Sequence, residues 1–169
     1  MLISIIHGTP SWVWGLLAAS VALGLSQTRT REVSITRLTV LPFVLPGLSI
    51  SGVVGTFGRL PLALAAWGAG VAAALTLGRM LLSARSEAEA RRGSFVVVPG
   101  SMMPMALMLA LFGVKYFAGA SLARQPALAA DSSFAAGCSL AYGVFAGLFA
   151  ARALSLRQVV ARPAADVTT

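Results

Sequence analysis

One residue concentrates the chemical information in this chain. Lys115 is the only lysine among 13 basic residues, and it lies inside the apolar run Ser101–Ala123. At the helical rise of about 1.5 Å per residue it sits roughly 10 Å below the outer end of that run. A lysine near the centre of a spanning helix costs about 2.5–3.5 kcal/mol, so it usually faces a bundle interior or a water-filled cavity. Snorkelling to the headgroups is the alternative. Helical side chains lean toward the helix N-terminus, which here is the cytoplasmic end, and that lean opposes outward snorkelling. The chemistry this predicts is capture of an anion.

Several polar side chains are candidates for the same layer. Tyr116 follows Lys115. Cys138 and, one turn deeper, Tyr142 lie in the fifth apolar run, and Thr56 ends the second. His7, the sole histidine, precedes Gly8-Thr9-Pro10 and the pair Trp12 and Trp14. Residues 1–9 either lie on the outer surface, with the tryptophans as an interfacial belt, or enter the membrane and break at Gly8–Pro10. In the second case His7 reaches the depth of Lys115, and a positive helix end points at the same layer. Arg59 and Arg124 rim that layer, and Asp131 is its acid. The expected site has Lys115 pairing with an anion, Tyr116 and His7 hydrogen-bonding it, and Trp12 walling it. Thr56 and Tyr142 complete its polar lining.

Catalytic signatures are missing from the sequence. No paired intramembrane carboxylates stand ready for acid–base work. There is no serine nucleophile elbow and no phosphate-binding glycine loop. The single cysteine, Cys138, excludes an internal disulfide and a multi-cysteine metal cage within one chain. One histidine cannot ligate a haem twice unless two chains meet. Met80, Met102, Met103, Met105 and Met108 could bind copper(I) as thioethers, but flexible filling of apolar gaps is their ordinary role. No cofactor can be named from these residues.

The positioning elements follow from hydropathy. The chain has 169 residues, 57% hydrophobic and 11% charged, with a mean hydropathy of +0.85. Soluble domains carry about 25% charged residues, so this chain has too little polar surface to face water. Five apolar runs approach the roughly 20 residues a spanning helix needs. They are about 10–26, 38–58, 60–82, 101–123 and 133–156. The expected fold is therefore all-α, a polytopic membrane helix bundle of about five transmembrane helices. Residues 1–162 form a single transmembrane domain, and 163–169 a small polar tail expected to be disordered. The net charge of +8 does not indicate nucleic acid, because the basic residues are scattered between the runs.

Those charges set the orientation. Arg29, Arg31, Arg37, Arg79, Arg85, Arg91, Arg92, Arg152, Arg157 and Arg162 fall on one side, against Arg59 and Arg124 on the other. Positive-inside bias then puts the N-terminus outside and the C-terminus in the cytoplasm. The first basic residue, Arg29, comes after the first apolar run, so that run is expected to be a retained span rather than a signal peptide. Heavy arginine and alanine usage suggests a GC-rich bacterial genome, and hence a bacterial inner membrane.

Local signals place the helix ends. Thr9-Pro10 reads as N-cap then first turn, and Leu60-Pro61 and Pro104 open later spans. Asp131, Ser132 and Ser133 are cap candidates for the fifth. Ser86–Glu89 reads as a capping box for a short surface helix ending near Gly93, with Phe95–Val98 extended after it. Span two contains Pro42 and Pro46, whose freed backbone groups Ser49 and Ser51 could re-satisfy. It reads as a kinked packing helix, or as a hinge beside a cavity. Small residues four apart, Ser51/Gly55, Ala66/Gly70 and Gly143/Gly147, allow close helix approach within the bundle or between two copies.

The segment His7-Gly-Thr-Pro-Ser-Trp-Val-Trp14, with Gln27-Thr-Arg29 and Lys115-Tyr116, resembles a group of small proteobacterial inner-membrane proteins that share a domain of unknown function. The resemblance spans roughly residues 1–157 and implies a multi-span membrane protein without an assigned activity. The leading functional expectation is binding or transport of a small anionic or amphipathic ligand in a basic outer-leaflet pocket. The alternative is a non-catalytic accessory or assembly subunit of a larger membrane complex, and the third is a haem or metal membrane protein. Expected partners are membrane lipids, the anionic ligand, and a second copy or larger complex, with no nucleic acid.

Topology is directly testable. Reporters fused after Leu156 should be active when they require the cytoplasm. A periplasmic reporter active at that position would invert the orientation.

Overall fold

A computed structural model describes residues 10–58, 60–83, 90–92, 95–98 and 100–161. His7 and the rest of residues 1–9, Arg59, the capping-box segment 84–89 and the tail beyond 161 lie outside the described residues. The described chain forms five long helices: α1 (Ser11–Ser26), α2 (Ile35–Phe57), α3 (Pro61–Ser83), α4 (Met103–Arg124) and α5 (Ser132–Ala161). A short 3-10 turn, Pro126–Ala129, joins α4 to α5. The protein is an all-α helix bundle with one small accessory sheet.

That sheet has three strands, β1 (Arg31–Ser34), β2 (Ala90–Arg92) and β3 (Phe95–Val98), in the order β1-β3-β2. Both pairings are antiparallel, with Arg31 opposite Val98 and Arg92 opposite Phe95. Phe95–Val98 is thus extended, as its β-branched run suggests. Ala90–Arg92 corrects the expected surface helix, because it is the edge partner of β3 and not helix continuing toward Gly93. The sheet ties the first and third connections together. Nearby, the Ser101 N–H donates to the Gln27 carbonyl at 3.1 Å. An added Cβ on Gly100 would collide with the Thr28 carbonyl, so only glycine fits that crossing.

Helix ends follow recognisable chemistry. Pro10 is the N-cap of α1, so the helix begins at Ser11, one residue later than the proline signal implies. Pro61 opens α3, and the Leu64 N–H donates to the Leu60 carbonyl. Asp131 Oδ1 accepts the Phe134 N–H at 2.7 Å, capping α5. The helix α2 starts directly from β1 and runs unbroken through Pro42 and Pro46. It ends at Gly58, whose φ of +66° is a backbone state that a Cβ would disfavour.

Among the described residues, three helices are long and apolar enough to cross a membrane: Pro61–Met80, Met103–Arg124 and Ser132–Leu156, of 20, 22 and 25 residues. The apolar stretches Ser11–Ser26 and Phe43–Phe57 are shorter. Large apolar side chains point away from the protein, including Met80 (77% exposed) and Phe43 (71%). Exposed apolar surface of that kind, together with helices of spanning length, is compatible with a membrane protein.

Packing centres on α5. Its Gly143 and Gly147 meet Trp67, Val71 and Ala74 of α3, while Gly70 of α3 meets Leu140 and Val144 of α5. Added Cβ atoms on Gly70 or Gly143 would collide with backbone atoms opposite. The Gly143/Gly147 pair, and Gly70 of the Ala66/Gly70 pair, therefore join two helices of one chain. Ser51 and Gly55 lie on an exposed face of α2, with open space beside Gly55. A core of Val53, Phe57, Ala63, Ala118, Ala135, Cys138 and Tyr142 closes the end of the bundle opposite the sheet. Against α4, α1 packs through Gly24, beneath Met105.

This packing gives a contrast between glycines. Gly143→Val should cost about 3 kcal/mol through forced separation of α3 and α5. Gly113→Ala, with nothing near the added carbon, should be neutral or stabilising by up to about 1 kcal/mol. Unfolding temperatures in detergent decide it, and equal effects at the two sites would refute the tight seam.

Candidate functional site

Three helical stripes converge on one cleft of about 590 Å³. On α5 the stripe is Tyr142, Ala146, Phe149, Ala153 and Leu156, spaced by three and four residues as one helix face requires. On α4 it is Pro104, Met108, Leu111 and Lys115, and on α2 it is Leu45, Leu48 and Ser49. The α5 stripe is the floor, and α2 and α4 are the walls. The walls are apolar apart from a few groups, as ligand cavities usually are.

Lys115 holds one end. Its Nζ lies 5.0 Å from the centroid of the Tyr142 ring. It also faces Gly52 of α2, where an added Cβ would stand 3.7 Å from it. The ammonium therefore spans from α4 across the floor to α2. Gln27, Glu32 and Arg152 hold the other end, beside the sheet. The Gln27 side-chain amide donates to Met108 Sδ at 3.8 Å. Pro104 and Lys115 are eleven residues apart, which sets a cleft length of about 16 Å along α4.

A short polar relay fixes the wall α2 to its neighbours. Trp67 Nε1–H donates to Ser49 Oγ at 3.1 Å, and the Ser49 hydroxyl donates to the Tyr142 carbonyl at 3.3 Å. Ser51 donates instead to the Leu48 carbonyl of its own helix at 2.9 Å. Neither serine serves a carbonyl freed by Pro42 or Pro46, which corrects the role expected for them. Ser49 is spent on interhelical bonding, which needs a hydroxyl at a close approach of three helices.

Of the residues expected to form the site, the structure brings Lys115 and Tyr142 together. Tyr116 stacks on Phe112, with centroids 6.3 Å apart and planes at 11°, and does not line the cleft. The Thr56 hydroxyl donates to the Gly52 carbonyl at 2.9 Å, one turn from the Lys115 contact but outside the cleft. Trp12 is 64% exposed on α1, away from it. His7 lies outside the described residues. Cys138 is buried in the core. The methionines separate: Met105 covers Gly24, Met108 lines the cleft, and Met80 and Met102 are exposed. Among the described residues, no three of His, Cys, Asp or Glu cluster as a metal site would need.

The cavity extends from Lys115 toward the sheet, the arginine-rich end, and not toward the arginine-poor end where an outer-leaflet pocket was expected. Gln27, Glu32, Ser49, Gly52 and Arg152 were not anticipated as site residues. Glu32 carried a signal, as the acid amid arginines in the first connection. Gly52 carried none, because its role is to leave room for a side chain from another helix.

The chain matches, over residues 1–166, a family described as a family of unknown function, DUF6622. It belongs to this family. No curated protein and no solved structure shows significant similarity to it. The DUF6622 match covers every element of the bundle, so the cleft is built wholly from the family domain.

The relay can be tested in the DUF6622 chain by a double-mutant cycle. Ser49→Ala should cost about 1 kcal/mol, by leaving the Trp67 N–H and the Tyr142 carbonyl without this partner. The same change in a Trp67→Phe background should cost less. Additive losses in detergent unfolding would show that the two groups do not interact.

Proposed function

We propose that this protein binds an anionic or amphipathic small molecule in the membrane, with Lys115 as its anchor. One observation carries the reading: an ammonium placed deep in a spanning helix, at the end of an apolar cleft, with an aromatic ring as its partner. A lysine at mid-helix costs about 2.5–3.5 kcal/mol. A cation–π contact returns about 0.5–2 kcal/mol. The ring offsets part of the cost, and an anion in the cleft supplies the rest. Tyr142 positions the ammonium, and Ser49 holds the Tyr142 backbone and α2 in place. The apolar walls accept the hydrophobic part of the ligand.

In the orientation set by the arginines, the N-terminus is outside and the C-terminus is in the cytoplasm of a bacterial inner membrane. The cleft then occupies the cytoplasmic half. Lys115, an exposed residue of α4, stands at the end toward the membrane centre, and Gln27, Glu32 and Arg152 stand at the cytoplasmic interface. Binding, or handing a ligand between the membrane and that interface, fits this arrangement.

A second reading, an accessory subunit of a larger membrane complex, has one observation in its favour. Gly47, Ser51 and Gly55 of α2 leave a face of small residues with no described helix against it, which a partner helix could approach closely.

The decisive variant is Lys115→Met, which keeps the stem and removes the cation. Native mass spectrometry of gently solubilised protein should show acidic adducts on the wild type that fall at least tenfold in the variant. The unfolding temperature should hold or rise, because a costly charge is gone. Unchanged adducts would sink the anchor role, whatever the stability.

A further inference from the structure

We infer that the cleft is built for a single-chain monocarboxylate, an acyl anion of about a dozen carbons, with its carboxylate at Lys115 and its tail directed toward the sheet. This assignment rests on the anion-binding reading above and adds the class, orientation and length of the ligand.

The charge distribution sets the orientation. The Lys115 end carries one positive charge and no acid among the cleft residues. The sheet end carries an acid, Glu32, beside Arg152 among the described lining residues. An anionic head at Lys115 meets a cation and no described acid, whereas at the sheet end it would face the Glu32 carboxylate. A monoanion there gives a neutral pair. A phosphate monoester, with about −1.5 to −2 charges, would leave negative charge that the single ammonium does not neutralise.

The lining sets the chain. Between the two ends the side chains are aliphatic, aromatic or thioether: Leu45, Leu48, Met108, Leu111, Phe145 and Phe149. Leu48 lines the cleft and is also 65% exposed, so the cleft opens sideways between α2 and α4. A tail can enter from lipid through that opening without crossing water.

The distance sets the length. The cleft is about 16 Å long from Lys115 to Pro104. An extended chain advances about 1.2 Å per bond, from the roughly 3.6 Å that three backbone bonds span. The space therefore accepts about 13 bonds before the tail meets Gln27, Glu32 and Arg152. A longer tail must fold back or press its methyl end on polar groups, and a shorter one leaves apolar wall uncovered.

The test uses the full chain in a neutral detergent and a series of saturated monocarboxylates of about 6 to about 18 carbons, with the matched alcohols as neutral controls. Affinity should peak near about 13 carbons and fall at least tenfold at about 6 carbons. The alcohols should bind at least tenfold more weakly than the acids, and Lys115→Met should erase that difference. Met108 stands seven residues from Lys115, about 10 Å along the wall, so Met108→Trp should move the optimum to about 8 carbons. The wild-type length profile decides the matter even if that variant does not fold. Affinity that rises steadily with chain length, without a peak, would overturn the ruler and leave Lys115 as an anion site. A preference for two-chain anionic phospholipid vesicles over every single-chain acid would overturn the ligand class alone. Acids and alcohols binding alike in the wild type would overturn both this assignment and the anchor role of Lys115.

Discussion

The seam between α3 and α5 is the constraint on which the rest of the bundle depends. In lipid no hydrophobic driving force separates one apolar helix surface from another, so association relies on close van der Waals contact and on interhelical hydrogen bonds. Gly70, Gly143 and Gly147 provide that contact by letting backbone meet backbone. Once α3 lies against this side of α5, the next face around α5 is committed. That face is the stripe from Tyr142 to Leu156, and it becomes the floor of the cleft. The seam also brings Trp67 of α3 to where its N–H meets Ser49 of α2, so it places one wall as well.

The cleft stays open because its two walls are held by different partners. Toward the arginine-poor end, α2 is fastened by the core around Val53 and Phe57 and by the Ser49 relay. At the other end, α4 is fastened to α1 through Gly24 and Met105, and the two connections are laced by the β1-β3-β2 sheet. Each wall has a tight attachment elsewhere. Lys115 on one wall faces Gly52 on the other, a residue with no side chain to draw the walls together.

Much of the architecture was legible in the sequence. Apolar runs separated by arginines marked all five helices, because charges are too costly to sit within them. Asp131 capped α5 as its side chain predicts, and the proline signals fell within one residue of true helix starts. Lys115 and Tyr142 were legible as polar groups at matching depth. The cleft itself was not. Which face of α4 looks inward depends on how α5 is rotated, and that rotation is set by glycines thirty residues away. Tyr116 shows the limit: it is adjacent to Lys115 in sequence, but the helical turn of about 100° per residue carries it to a different face, where it stacks on Phe112. Thr56 shows another, because its hydroxyl is consumed by the carbonyl one turn back.

Ser49 and Gly52 show why small residues are hard to interpret from sequence alone. In span two they sit among prolines and other glycines, and the obvious inference is repair of a broken helix. The helix runs on through both prolines, but Ser49 and Gly52 serve neighbouring helices and not the carbonyls those prolines free. Ser49 accepts from one helix and donates to another. Gly52, one turn further, removes a side chain where the Lys115 ammonium arrives. The two lie three residues apart, on the same face as Leu45 and Leu48, so one stripe of α2 carries apolar wall, polar fastening and space for a cation in succession. That order follows the depth of the cleft. Apolar lining comes first from the sheet end, then the hydrogen-bonded anchor, then room for the charge. An amphiphile entering along this stripe would meet its complementary surface in the same sequence, tail against leucine and head against lysine.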